Sequence, residues 1–127
     1  MQDKRPSDRE LIKRLSEAKE FLKNRHGLFA NPSKAMGELN DLYIGDANDV
    51  WLLIRELLDE ISPKDYKGSR PPQKSYEKAI EGLELLAFSW WSLKCAKQMY
   101  IKFVLKDERY YYVSLHPSRS AEQHGED

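Results

Sequence analysis

Two runs near the end of this 127-residue chain, YIKFVLK from Tyr100 and YYYVSLH from Tyr110, concentrate side chains that can do chemistry. A strand turns successive side chains to opposite faces. Ile101, Phe103 and Leu105 then share one face, with Tyr100, Lys102, Val104 and Lys106 on the other. In the second run Tyr111, Val113 and Leu115 share one face, and Tyr110, Tyr112, Ser114 and His116 the other. If both apolar sets face one core, positions of equal parity pair, for example Phe103 with Val113. That reading makes Asp107-Glu108-Arg109 a three-residue turn without the usual glycine. It places Tyr100 opposite His116 and Lys102 opposite Ser114, all on the face turned away from the core.

A tyrosine, a histidine, a lysine and a hydroxyl on one patch suit metal-free chemistry on a phosphodiester. RNA carries its own nucleophile, the 2′-OH, so cleavage needs a base for that proton, an acid for the leaving 5′-oxygen and positive charge on the phosphorane. Histidine can serve as either acid or base. Lysine and arginine stabilise the developing charge. A tyrosine can donate to the phosphate or stack on a base. Lys64, Lys67 and Arg70 precede the strands, and Arg119 follows them. The plainer reading is that His116, at a strand end, satisfies a loop carbonyl, and that the lysines only keep a sheet face soluble.

Other chemistries have less to stand on. The sequence has no GxxxxGK[ST], GxGxxG or HExxH pattern. His26, His116 and His124 lack metal-ligand spacing, so no metal or other cofactor is expected. Ser114 and His116 are adjacent on one face, but no acid is placed to orient the histidine. Asp59 and Glu60 read as solvated helix-surface acids.

The elements that must hold these groups are legible from periodicity. Ser7 with Glu10 reads as a capping box ahead of a helix whose apolar stripe is Leu11, Leu15, Ala18 and Leu22. Gly27 closes it, and Leu28-Phe29 suits a very short strand. Asn31-Pro32 opens a second helix that buries Ala35, Met36 and Leu39 and stops by Gly45. Asp46 or Asn48 caps a third, with Val50, Leu53, Ile54, Leu57, Leu58 and Ile61 on its buried face. From Ser62 a long loop contains three prolines and five Lys or Arg within residues 62–78; loops of this length are usually functional or mobile. Leu83–Trp91, Met99–Lys106 and Tyr110–His116 read as antiparallel strands. The expected fold is α+β, N-terminal helices on a small twisted antiparallel sheet of three to four strands. A single domain spans 1–120, and 121–127 is an acidic disordered tail.

Composition narrows the classes further. One cysteine, Cys95, excludes an internal disulfide framework and a cysteine-based zinc cluster. No run is apolar enough for a membrane span or signal peptide, so a cytoplasmic protein without a membrane partner is expected. The 21 Lys+Arg and 21 Asp+Glu cancel overall but not locally. Residues 1–61 carry −2, residues 62–120 carry +5 and the tail carries −3. A neutral sum therefore does not exclude nucleic acid; the basic segment is the one holding the candidate chemistry.

From Leu15 to His116 the chain resembles the MqsR-type mRNA interferases, ribonuclease toxins of bacterial toxin–antitoxin pairs within the RelE-like fold group. The pieces that carry the likeness are LSEAKEFL, NPSKAMGELNDL, VWLLIRELLDEISPKDYKGS, MYIKF and YYVSLH, in the family's order. The resemblance implies an endoribonuclease that cuts single-stranded mRNA and blocks translation. Its partners would be mRNA, a cognate antitoxin protein and, where cutting depends on translation, the ribosome. Tyr100 falls on the family's catalytic tyrosine, and His116 falls where members carry a lysine or histidine. Lys67 stands one position before the family's loop lysine. The family's catalytic glutamine stands here as Ala87. The expected catalytic set is His116, Tyr100 and Lys67, with Lys64, Arg70, Lys102, Ser114 and Arg119 binding substrate. Trp90 or Trp91 could stack a base, with burial the more ordinary role for one of them. The alternative is a non-catalytic RNA-binding or partner-binding module on the same scaffold.

Overall fold

The computed structural model describes residues 6–68, 74–75 and 77–118. Three helices, α1 (Asp8–Asn24), α2 (Pro32–Asp41) and α3 (Asp49–Leu58), pack on a sheet of four strands. The strands are β1 (Leu28–Phe29), β2 (Leu86–Ser92), β3 (Lys97–Lys106) and β4 (Arg109–Pro117). Their order is β1-β4-β3-β2. The chain is thus α+β, with one correction to the expected sheet. It is mixed rather than wholly antiparallel, because β1 runs parallel to β4, with Leu28 opposite Tyr111 and Phe29 opposite Tyr112.

Local chemistry explains the helix starts. The Ser7 hydroxyl accepts from the Glu10 N–H, while the Glu10 carboxylate pairs with Arg14. The Asn31 side chain accepts from the Lys34 N–H, with Pro32 in the first turn. Ahead of α3, Asp46 Oδ1 accepts from the Asn48 N–H. Leu11, Leu15, Ala18 and Leu22 are all buried, as their spacing requires. Met36, expected inside, is half exposed. α3 also ends earlier than its apolar stripe, at Leu58.

Among the described residues, no helix is long and apolar enough to cross a membrane. The core lies between α1, α3 and one sheet face, where Phe88, Phe103 and Tyr110 are wholly or almost wholly buried. Phe103 stacks on Phe88 and Tyr110, with centroid separations of 6.1 and 4.9 Å. β1 enters this packing through Phe29, whose ring lies 4.9 Å from Trp51 and 5.2 Å from Tyr112. Gly27 permits that approach: a Cβ there would meet Tyr110 O at 2.7 Å and the Trp51 ring at 2.8 Å. Close backbone passage, rather than a helix stop, is what this glycine supplies; α1 is closed by Arg25.

The hairpin departs from its expected register in an instructive way. Tyr100 pairs with His116 and Lys102 with Ser114, but Phe103 pairs with Tyr112 rather than Val113. Val113 is the extra residue of a β-bulge, and beyond it the faces of β4 exchange. Tyr110 and Tyr112, expected on the open face, are buried core residues; Tyr111 and Val113, expected inside, are only half buried. The turn is also one residue shorter than expected. Lys106 pairs with Arg109, leaving Asp107-Glu108 as a two-residue turn with φ of 53° and 58°. One inserted residue and one residue fewer in the turn offset each other, so the Tyr100 and Lys102 pairings agree with the sequence reading.

The long basic loop is less irregular than its composition. It holds short 3₁₀ turns at Pro63–Asp65 and Lys78–Ile80. Tyr66 bridges to Phe88 and Lys74 to Glu84, so the loop extends the free edge of β2. The expected strand from Leu83 correspondingly begins at Leu86.

Candidate functional site

The second face of the sheet, partly open at Tyr100, Lys102 and His116 but buried at Ala87, Ser89, Val104 and Ser114, is ordered in rows across its strands. In one row near the open end of the β3–β4 hairpin, Ser89 of β2 stands opposite Tyr100 of β3, which stands opposite His116 of β4. The Tyr100 and His116 rings stack with centroids 5.1 Å apart and planes 25° from parallel. The next row runs Ala87, Lys102 and Ser114. Lys67 continues it at the sheet edge, its N–H donating to Ala87 O at 2.8 Å. Tyr66 points into the core against Phe88, so strand alternation turns the exposed Lys67 to the open face. Gly68, just after it, has no room for a side chain beside the Tyr66 ring.

The electrostatics of this face differ from group to group. Lys102 Nζ lies 5.8 Å from the centre of the Tyr100 ring, within cation–π range. Partial burial holds the Lys102 pKa below its ordinary value, Lys34 depresses it further and Glu38 opposes them. Partial burial, helped by the nearby Tyr66, raises the Tyr100 pKa. Tyr100 is therefore a hydrogen-bond donor at neutral pH, not a base. His116 Nδ1 sits 2.7 Å from Pro117 O. A carbonyl only accepts, so Nδ1 carries the proton and the neutral ring keeps its lone pair on Nε2. The plainer expectation for a strand-end histidine thus holds for one nitrogen, and it leaves the other available for chemistry.

Sequence reasoning missed Lys34 and Glu38 on α2. Lys34 Nζ donates to Val113 O at 3.1 Å and to the Ser114 hydroxyl. Glu38 Oε1 accepts from the Tyr112 hydroxyl at 2.7 Å and from the Leu115 N–H at 2.9 Å. The pair spans i to i+4 and clamps both sides of the bulge. Nothing in their spacing distinguishes them from an ordinary solvated helix pair; only the bulge brings β4 to them.

The remaining candidates fall in several places. Ser114 is buried and held by Lys34, so it supports the site from beneath. Lys64 is exposed in the first 3₁₀ turn. Arg70 and Arg119 lie outside the described residues, as does the acidic tail 121–127. Ala87 is nearly inaccessible and offers only a methyl opposite Lys102. Trp90 is buried and its Nε1 donates to Glu60 at 2.8 Å, whereas Trp91 is 58% exposed.

Glu60 corrects the expectation of a solvated surface acid, because it also accepts from the Lys94 N–H at 2.9 Å. Burial pushes its pKa upward, but hydrogen bonds from Trp90, Ser92 and the Lys94 and Leu93 backbone outweigh this and lower it. Asp59 is paired with Lys19 at 3.1 Å. Among the described residues, no three His, Cys, Asp or Glu side chains converge as a metal ion would require. Comparison of the chain with models of known protein families, with curated proteins and with solved structures finds no match.

Proposed function

We propose that the protein is an endoribonuclease that cleaves single-stranded mRNA by attack of the RNA's own 2′-OH, acting as the toxin of a bacterial toxin–antitoxin pair of the MqsR type in the cytoplasm. The observation that carries this reading is the stack of Tyr100 on His116 with Lys102 beside them on one open sheet face. His116 Nε2 takes the 2′-OH proton as the 2′-oxygen bonds to phosphorus; the P–O5′ bond then breaks, the leaving 5′-oxygen takes a proton from solvent water, and a 2′,3′-cyclic phosphate is left. The Tyr100 hydroxyl, kept protonated by partial burial, donates to the phosphate as charge accumulates there. Lys102 and Lys67 stabilise the phosphorane, and Lys34 fixes Ser114 and the bulge behind them. No step requires a metal or an organic cofactor. The antitoxin would act by covering this face or distorting it, and mRNA on the ribosome is the substrate form that cleavage during translation would require.

Induced expression tests the reading, together with digestion of single-stranded RNA by the purified protein in EDTA. Wild type should arrest growth and yield fragments ending in a 2′,3′-cyclic phosphate. His116→Ala and Tyr100→Phe should each lose about 10²–10⁴-fold in cleavage rate, the scale of one positioned acid or base. Arrest and cleavage that survive both substitutions would remove this assignment. A second reading is favoured by Ala87, which puts a methyl group opposite Lys102. A binding module without catalysis would hold RNA in a salt-sensitive way, leave it intact and bind equally well as His116→Ala.

A further inference from the structure

We propose that Trp91 and Gln98 form a nucleobase subsite next to Tyr100 and His116, with Trp91 as the stacking platform and Gln98 as the reader of the base edge. The choice of RNA as occupant rests on the endoribonuclease reading; the geometry of the subsite does not. Trp91 stands opposite Gln98, one same-face step beyond the Ser89–Tyr100–His116 row. Trp91 and Tyr100 are therefore diagonal neighbours on antiparallel strands, about 7–8 Å apart along the backbone and within reach of aromatic side chains. A base lying on the indole would leave its own phosphate over Tyr100 and His116, with Lys102 in the row beyond. Charge complementarity along the face thus selects a polyanion whose apolar rings end at Trp91.

Two further features separate Trp91 from an incidental exposed residue. First, the backbone that carries it is anchored. Its neighbour Trp90 points the other way and donates to Glu60 Oε1, and Lys94 N donates to Glu60 Oε2. One carboxylate just beyond α3 therefore holds the residues on both sides of Trp91, so little backbone freedom remains to be lost on stacking. Secondly, Gln98 is oriented. Its Nε2 donates to Ser89 Oγ at 3.2 Å. That bond uses one of the two N–H groups, so the amide still offers its second N–H beside the acceptor Oε1, a pair that suits the N6/N7 edge of adenine. The subsite should accordingly favour adenine, which joins that edge to the larger stacking face of a purine, over uracil.

The test uses the intact protein and short single-stranded RNAs carrying 2′-O-methyl groups, which bind but cannot be cut because the attacking hydroxyl is blocked. Trp51 and Trp90 are buried, so quenching of indole fluorescence reports Trp91. Wild type should show quenching by an all-adenine oligonucleotide and weaker binding to the all-uracil one. Trp91→Ala should lose the quench and about tenfold or more in affinity, the scale of one base–aromatic stack, while Trp91→Phe retains most of the affinity. Gln98→Ala should narrow the difference between adenine and uracil probes to what stacking alone gives.

On cleavable RNA, Trp91→Ala should raise KM and leave kcat nearly unchanged. Unaltered affinity and KM in Trp91→Ala, a quench that persists without Trp91, or no binding by wild type would each overturn the subsite. The two readings can fail separately. Wild type that binds with a quench but cuts nothing sinks the ribonuclease and leaves the subsite standing. Wild type that cuts with unchanged KM in Trp91→Ala does the reverse.

Discussion

The two faces of the sheet use the same residue types for opposite purposes, and tyrosine shows the contrast best. On the core face, Tyr110 and Tyr112 are about 1% exposed and pack with Phe103 and Phe29. Burial drives both of their pKa values upward, with Glu38 adding to the effect at Tyr112. Neither can present its hydroxyl to a substrate. On the open face, Tyr100 is half buried, stacked on His116 and overlain by Lys102. Composition cannot separate these tyrosines, nor can strand alternation alone, because the bulge at Val113 exchanges the faces of β4 between them.

The largest test of that difference compares adjacent residues of β3. Phe103→Ala removes a wholly buried ring that stacks on two others, and should cost about 3–5 kcal/mol, read as a shift of the urea midpoint. Lys102→Ala, one residue away, should change stability by less than about 0.5 kcal/mol. It should weaken RNA binding about tenfold and lower the slope of log affinity against log salt by about one. If Lys102→Ala instead destabilises the fold like a core truncation, the open face is structural and not a binding surface.

The depressed Lys102 pKa adds a signed pH test. The folded chain releases this proton at a lower pH than the unfolded chain. As pH rises from the folded value towards 10.5, Lys102's contribution to stability therefore becomes more favourable, while its hold on an anion is lost. The Lys102 component of stability, read as the difference between wild type and Lys102→Ala, should rise across that window as the RNA affinity of wild type falls, against the opposite trend of the tyrosines, whose pKa values are raised.

Tyrosine gives the next, smaller contrast. Tyr112→Phe removes a 2.7 Å hydrogen bond to the Glu38 carboxylate and should cost about 1.5 kcal/mol. The loss is limited because Glu38 keeps the Leu115 N–H. Tyr100→Phe should leave the melting temperature within about 2 °C and reduce cleavage. Equal stability losses from the two would mean that Tyr100 is only packing.

Much of this architecture can be read from residue spacing, and the exceptions share a physical cause. The α1 stripe and the Ser7 and Asn31 caps follow from local rules, because each depends on neighbours within four residues. The pairing of Tyr100 with His116 was also legible, although the reasoning behind it placed Phe103 opposite Val113. A bulge is the insertion of one residue into a ladder whose partner is distant in sequence, and no motif announces it. Lys34 and Glu38 were invisible for the same reason: their partners lie nearly eighty residues away. Glu60 looked solvated because its acceptor role depends on where the β2–β3 turn arrives. What local spacing leaves open is therefore the long-range contacts that shape the site.

The turn at the far end of the hairpin supplies the smallest effect and the cleanest check on the register. Asp107 and Glu108 both adopt left-handed backbone conformations, which side chains with a Cβ enter at a cost of about 1 kcal/mol or more. Glycine at Glu108 relieves that cost but loses more backbone freedom on folding, by about 0.5–1 kcal/mol. Glu108→Gly should therefore stabilise the protein by a net amount of about 0.5 kcal/mol, a rise of a few degrees in melting temperature at most. Cleavage should be unchanged, because the turn lies beyond the bulge from Tyr100 and His116. A three-residue turn through Arg109 would break the Lys106–Arg109 pairing and place no such demand on Glu108. In that case the substitution would only loosen the chain and lower the melting temperature, so the sign of a small shift decides between a bulged hairpin with a tight turn and a regular one with a loose turn.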